Sequence, residues 1–251
     1  MRITTFNLRV KCNEKDSNNY WEKRLPRIAN QLEVIDSDLY GFQELTKKQY
    51  QDVADILLEY DSVYRSRDDI DAEGTPVFYK KSKFELVAQG SYFLNEHPNT
   101  PGIGWDACCL RVASYATLKE KKSGKIFTFF NTHLDHVGKQ AQIKGIELMV
   151  KKMSEVGGSM FLTGDFNVFE TDVTYKKATT MLKDSKYIAK QAESGNTFHN
   201  YGAIPYNKNG QPIDYIMVSK DVKVQSYNIY AKAEKDGFAS DHFAVYADVE
   251  L

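Results

Sequence analysis

Two stretches, FFNTHLDH at 129–136 and MFLTGDFN at 160–167, decide how this chain is read. Each begins as an apolar, strand-like run and ends abruptly in polar residues. Asn131, His133, Asp135 and His136 close the first; Asp165 and Asn167 close the second. Apolar strands tipped with carboxylate, imidazole and amide groups are a common way to build a site on a rigid sheet. Between them, Ile143, Ile146, Leu148, Met149 and Met153 recur at helical spacing, and Gly157–Gly158 ends that helix. Strand, helix, strand is the building unit of an α/β fold.

Working outward, Arg2 to Phe6 reads as a strand running into Asn7. Leu25, Ile28, Ala29, Leu32 and Ile35 predict a helix from Trp21 to near Asp36. Asp38 to Phe42 is a short buried strand ending at Gln43 and Glu44, and Thr46 is the N-cap of a second helix. Strands are predicted over Thr75–Lys80, Phe84–Leu94 and Ala107–Leu118, with a turn at Ser123–Gly124 leading into Ile126–Thr132 as a hairpin. A helix is expected around Asp172–Leu182, and 184–212 is polar and turn-rich. Ile213–Ser219, Val224–Tyr230 and His242–Val249 close the chain as strands. No repeat, low-complexity tract or linker divides it, so residues 1–251 read as one α/β domain of two packed sheets with helices outside.

Composition sets the class. The chain has 251 residues, 42% hydrophobic and 27% charged, with six prolines, which favours a folded globular protein over disorder. A net charge of −1 gives no global basic footprint for nucleic acid. No apolar run approaches the ~20 residues of a membrane-spanning helix. The N-terminus, MRITTFNLRV, has a strand pattern without the apolar core of a signal peptide, so a cytoplasmic location is expected. The cysteines are Cys12, Cys108 and Cys109. Their odd count and the absence of C-x-x-C point to neither a disulfide framework nor a thiolate zinc site. Cys108 and Cys109 are expected to pack on opposite faces of a strand.

Every predicted strand end bears an unusual polar group: Asn7, Gln43–Glu44, Asn131–His133, Gly164–Asn167, Asp214 and Ser240–Asp241–His242. Singly, each reads as a turn or cap residue. Together they form a set with narrow chemistry. Carboxylates and an amide without thiolates suit a hard cation, Mg²⁺ or Mn²⁺. An Asp–His pair beside it suits activation of water at a phosphate. No P-loop, G-x-S-x-G elbow or H-E-x-x-H zinc helix is present.

TFN at 5–7, QE at 43–44, NTHLDH at 131–136, GDFN at 164–167, IDYI at 213–216 and SDH at 240–242 resemble, in order, the endonuclease/exonuclease/phosphatase superfamily. GWDACCLR at 104–111 resembles a bacterial branch of it. The resemblance implies a DNase I-like four-layer α/β sandwich and a metal-dependent phosphohydrolase. It implies Glu44 as the main metal carboxylate, with Asn7 beside it and Asp241 joining from the far end of the chain. Asp165 is implied to align or deprotonate the attacking water, and Asn167 to hydrogen-bond the phosphate. His242 would face the phosphate, held by Asp214; His133 would be the second such histidine, paired with Glu73.

Arg111 is a candidate phosphate contact, with pairing on a sheet face as the alternative. Asp135 and His136 are placed at the rim. Trp105 and Tyr79 are either substrate-side aromatics or core. After HLDH the bacterial branch commonly reads Ala-Arg, whereas Ala141 is followed here by Gln142. The expected activity is hydrolysis of a phosphate ester, a phosphodiester first. Monoesters of inositol or sugars are the alternative, and a non-catalytic binding module on the same fold is the rival class. The substrate is a nucleic acid or a small phosphorylated molecule; no obligate protein partner is indicated.

Overall fold

A computed structural model describes residues 1–11, 17–68 and 72–251. Cys12 lies outside the described residues. Two mixed sheets stack face to face. The first runs β10-β12-β13-β1-β2-β4-β3, built from β1 (Arg2–Asn7), β2 (Leu39–Gln43), β3 (Tyr60–Val63), β4 (Val77–Lys80), β10 (Gln191–Ala192), β12 (Lys223–Tyr230) and β13 (Ala244–Glu250). The second runs β5-β6-β7-β8-β11-β9, from β5 (Phe84–Phe93), β6 (Val112–Glu120), β7 (Ile126–His133), β8 (Ser159–Asp165), β9 (Lys183–Asp184) and β11 (Asp214–Val218). Helices α1 (Trp21–Ile35) and α2 (Lys47–Ile56) carry apolar stripes that cover the first sheet. Helices α3 (Lys139–Val156) and α4 (Val173–Ala178) cover the second, and a short α5 (Ser185–Ile188) follows.

Three apolar clusters match the layers. Ile3, Leu39, Phe127, Phe129, Phe161, Ile216 and Val245 fill the space between the sheets. Tyr40, Phe42, Ile28, Leu32 and Val53 pack under α1 and α2. Phe130, Leu162, Ile146, Met149 and Met153 pack under α3. The four-layer α/β sandwich expected from the resemblance is therefore the fold. Among the described residues no helix is long and apolar enough to cross a membrane.

Because strand side chains alternate, the inward face of each central strand can be followed toward the sheet edge. β1 gives Ile3, Thr5, Asn7; β2 gives Leu39, Gly41, Gln43; β7 gives Phe129, Asn131, His133; β8 gives Phe161, Thr163, Asp165. The first members are apolar core, the second small or polar, the last mostly functional groups. In the middle tier, Asn131 donates to the carbonyls of Phe42 (2.7 Å) and Pro76 (3.0 Å) and accepts from Gln43 (2.7 Å) and Thr163 (3.0 Å). Two strand-end residues, Gln43 and Asn131, thus fasten one sheet to the other and do not reach the cleft.

The sequence and the structure part in three places. Residues 107–111 form a loop and β6 starts only at Val112, because Asp135 Oδ2 takes the Cys108 N–H (3.2 Å) that a ladder would have used. Cys108 is accordingly exposed and Cys109 half-exposed, not packed across a strand. The helix expected to reach Leu182 ends at Ala178, where the Thr179 and Thr180 hydroxyls donate to the carbonyls of Lys176 and Lys177. β3 was not foreseen: YDSV is an edge strand with little apolar signal. Tyr79 belongs to the inter-sheet core.

Candidate active site

The topology brings the two ends of the chain to one edge. β1 runs parallel to β2, which sets Asn7 opposite Gln43 and Glu44 just beyond. β13 runs antiparallel to β1, so Asp241 and His242, just before β13, stand at the tip of β1. In the other sheet His133 and Asp165 are register partners, and so are Asp165 and Asp214. Where these tips meet lies a cleft of ≈300 Å³ lined by Glu44, Glu73, His133, Asp165, Asn167, Asp241 and His242. Arg9, Arg67 and Arg111 line it as well. Glu44 (φ 64°), Asn167 (φ 55°) and Arg9 (φ 55°) all have left-handed backbone. Such conformations cost free energy outside glycine and concentrate at working sites.

Asp165 is the hub. Its Oδ1 accepts from the Asn167 N–H (2.9 Å) and its Oδ2 from Asn7 Nδ2 (3.0 Å). The Nε2 atoms of His133 and His242 lie 3.5 and 3.7 Å from Oδ2. Burial, then the neighbouring Asp214, push the Asp165 carboxyl up to about 7, against the pull of His242 and Asn7. His242 bonds through Nδ1 to Asp214 Oδ2 at 2.9 Å, the dyad expected from the sequence. Burial alone would make this imidazole shed its proton. Asp214 and Asp165 outweigh burial and raise it to about 10.

His133 is the opposite case. Both amide hydrogens of Asn167 are engaged, one on the Leu134 carbonyl (3.1 Å) and one on His133 Nε2 (3.0 Å). An imidazole nitrogen that accepts carries no proton, so Nδ1 bears it and the ring is neutral. Burial first, then the positive charges of Arg111 and His242, hold His133 well below its usual value. The expected Glu73–His133 pair is not formed. Glu73 Oε1 instead takes the Arg67 guanidinium at 2.9 Å, a permanent charge that neutral His133 does not offer. Asn167 is likewise a holder of His133 here, and it has no amide hydrogen left over for a phosphate.

Glu44 and Asp241 form the acidic wall. The Arg9 guanidinium stands between them, 3.6 Å from Glu44 Oε2 and 3.5 Å from Asp241 Oδ2. Burial pushes Glu44 up, but the Val10 N–H (2.9 Å), Asn7 and Arg9 prevail and keep it ionised below its usual range. Asp241 is raised by burial, with Glu44 adding to the effect. Asn7 Nδ2 donates to Glu44 Oε1 (3.0 Å) as well as to Asp165, tying the acidic wall to the hub. Two buried carboxylates already drawn around a cation, with no thiolate among them, fit a hard divalent ion. A further buried group of Asp165, Asp214 and His242 also has metal-ligand spacing, but there the protonated imidazole holds the two carboxylates together.

The rim residues separate. His136 lines the cleft, and Arg111 Nη2 donates to its Nδ1 (3.0 Å). Asp135 is buried and holds the loop: Oδ1 accepts from Val137 and Gly138 N–H at 3.0 and 2.7 Å. It is not placed to touch a substrate. Trp105 does not line the cleft; it sits at a loop turn with its N–H on Glu96. Gln142, where the bacterial branch has arginine, is buried and donates to the Asp135 carbonyl at 2.7 Å. Arg9 and Arg67 were missed from sequence. Arg9 stands two residues past the TFN strand end, a usable signal; Arg67 lies in SRDD, which offers none.

Comparison with known proteins agrees with this geometry. The family model described as the Endonuclease/Exonuclease/phosphatase family matches residues 4–242. The chain belongs to this family. It is a hydrolase of phosphoric esters in a family that is generally dependent on divalent metals. An endonuclease/exonuclease/phosphatase structure from Bacteroides vulgatus is similar at 36% identity and a TM-score of 0.93, covering 100% of this chain and 98% of that one. A mannosyl-6-phosphatase from Bacteroides thetaiotaomicron is similar at 31% identity and a TM-score of 0.92, with 100% of both chains covered. An uncharacterized protein of Acanthamoeba polyphaga mimivirus is 24% identical over 84% of this chain, which spans only 37% of that relative's length.

Proposed function

We propose that this family member hydrolyses the phosphate monoester of a small hydroxylated molecule, a sugar phosphate being the model substrate. The observation that carries this is the charge of the cleft wall. Arg9, Arg67, Arg111 and protonated His242 line a space of ≈300 Å³ that Glu44, Glu73, Asp165 and Asp241 line as well, so once a divalent ion takes up Glu44 and Asp241 the guanidiniums and the imidazolium would be the charges a phosphate meets. A terminal phosphate dianion matches that density of cations better than a diester monoanion does. The similarity to a mannosyl-6-phosphatase over both full chains supports the same choice. A diester is the second reading. It is favoured by an apolar groove lined by Phe169, Phe198, Ile204 and Ile213, which shares Phe198 and Ile213 with the cleft and could seat a second ester group.

Mg²⁺ or Mn²⁺ would be held by Glu44 and Asp241, with Asn7 keeping Glu44 in place. When bound, the ion supplies Lewis-acid charge that neutralises a phosphoryl oxygen. Asp165 Oδ2 accepts the proton of the water that attacks phosphorus, the ester P–O bond breaks, and the departing alcohol oxygen takes its proton from solvent. Its raised basicity suits that task near neutral pH. His242 Nε2–H donates to a phosphoryl oxygen as charge builds, and Asp214 fixes its tautomer through Nδ1. Neutral His133 holds its ring beside Asp165 without adding charge. Arg111 and Arg67 bind the phosphate.

The test is a phosphoester panel with Mg²⁺ and Mn²⁺: hexose phosphates, inositol phosphates, a bis-aryl phosphodiester, DNA and RNA. Hexose phosphates should give the highest kcat/KM, chelation should abolish turnover, and Asp165→Asn should lower kcat by about 10²–10⁴-fold. Preferential cleavage of diesters or polynucleotides would overturn the monoester reading. Equal rates in wild type and Asp165→Asn would overturn the mechanism.

A further inference from the structure

Beside the cleft, the loop at 107–111 brings Cys108 and Cys109 against Asp135 and His136. Cys108 Sγ lies 3.7 Å from Cys109 Sγ, 3.2 Å from Asp135 Oδ2 and 3.6 Å from His136 Nδ1. Cys109 Sγ lies 3.7 Å from the same Asp135 oxygen. Zinc bonds of about 2.3 Å to sulfur and 2.0–2.2 Å to nitrogen or oxygen give tetrahedral edges of about 3.8 Å for S···S and about 3.5 Å for S···N or S···O. The observed separations fall close to those edges. We infer that Cys108, Cys109, Asp135 and His136 form a tetrahedral Zn²⁺ site, separate from the catalytic metal.

Three features support it beyond the four distances. One ligand is held in advance: Asp135 Oδ1 is fixed by two backbone N–H groups, and its Oδ2, which also accepts the Cys108 N–H, lies 3.2 and 3.7 Å from the two sulfurs. The cysteine loop is anchored at its start, where Asp106 caps α3 by accepting from Gln140 and Ala141 N–H at 3.1 and 2.7 Å. Gly138 is needed there, since a Cβ would meet the Asp106 carbonyl at 2.4 Å. Such outer support is what orients metal ligands. Cys108 and His136 are exposed, so an ion can enter.

The electrostatics also close. Two thiolates and a carboxylate around Zn²⁺ leave one net negative charge. Arg111, whose Nε lies 3.6 Å from Asp135 Oδ2, balances it. Arg111 Nη2 donates to His136 Nδ1 at 3.0 Å, a contact that zinc ligation through Nδ1 would replace by a turn of the exposed imidazole. Thiolate and imidazole donors select zinc over magnesium, whereas the Glu44 and Asp241 carboxylates in the cleft do the reverse. Spacing rules built on C-x-x-C could not find the site, because it uses adjacent cysteines and a carboxylate–histidine pair from another loop.

The test is Co²⁺ titration of the reduced, chelator-stripped full chain, followed by Zn²⁺ displacement. One equivalent should give thiolate-to-cobalt charge transfer in the near ultraviolet and the visible absorption of tetrahedral cobalt. Glu44 and Asp241, which would hold the catalytic ion, carry no sulfur, so this charge transfer reports the cysteine site, although Cys109 also lines the cleft, and it should persist in Glu44→Gln. It should fall by at least half in Cys108→Ser and in Cys109→Ser and vanish in the double variant, each checked as folded by circular dichroism. Zn²⁺ affinity should fall by more than about 100-fold, beyond the 10–100-fold typical of losing an outer partner. Absence of thiolate charge transfer in the wild type, or its survival in the Cys108→Ser/Cys109→Ser double variant through Cys12, would overturn the site.

Discussion

Two histidines facing one carboxylate carry opposite charge states, and the partner of each ring explains the difference. His242 Nδ1 meets a buried carboxylate, whereas His133 Nε2 accepts from an amide and the ring lies near Arg111. The sign of the pH dependence follows. In the proposed role of base, Asp165 must be ionised, and with its carboxyl raised to about 7 kcat/KM should rise along an acid limb at or below pH 7. In the proposed role of donor, His242 must be protonated, so the rate should fall as pH rises through about 10. The two groups are coupled, and the limbs belong to the pair. Asp214→Asn removes the charge that raises His242, so the alkaline limb should move down by at least one pH unit, read from kcat/KM profiles at constant ionic strength. An unmoved alkaline limb in Asp214→Asn would show that His242 is not its source.

At the scale of elements, the close approach of the two sheets depends on Gly41 in β2. A Cβ there would meet Thr163 Oγ1 at 2.2 Å and Asn131 Oδ1 at 2.6 Å. Gly41→Ala should therefore push β2 away from β7 and β8, costing about 1–3 kcal/mol as an overpacked core does. Urea unfolding measures this, and a change under about 0.5 kcal/mol would mean the sheets yield freely. Activity should fall too, since His133 and Asp165 lie two residues beyond Asn131 and Thr163 on the same strands.

The elements read well from sequence wherever periodicity was strong. α1, α3, the turn that joins β6 to β7 and the Thr46 cap all stand where expected. The errors have local causes. Asp135 drew a backbone N–H out of β6, and threonine hydroxyls shortened α4. At the site, ordered motifs located the groups around Asp165, because each ends a strand. They gave no access to the Glu73–Arg67 pair, the neutral His133 or the cysteine cluster, which depend on side-chain partners from loops with no periodic signal.

On the scale of the whole molecule, the site exists only when the chain's ends are joined. Asn7 ends β1, His242 precedes β13, and these strands pair antiparallel at the centre of the first sheet. Asp165 and Asp214 come from neighbouring strands of the second sheet, and the inter-sheet core below them is continuous. Local opening cannot release one half of the site and leave the other, so catalysis should be lost with the fold as a unit. Activity and far-ultraviolet circular dichroism should then share one urea midpoint. Ile3→Ala removes a fully buried side chain from between the sheets and should cost about 2–5 kcal/mol, moving both midpoints together. Activity vanishing well before the circular dichroism signal would mean that β1 or β13 opens first. The cleft would then be a separately stable region whose order is set by substrate or metal and not by the sandwich beneath it.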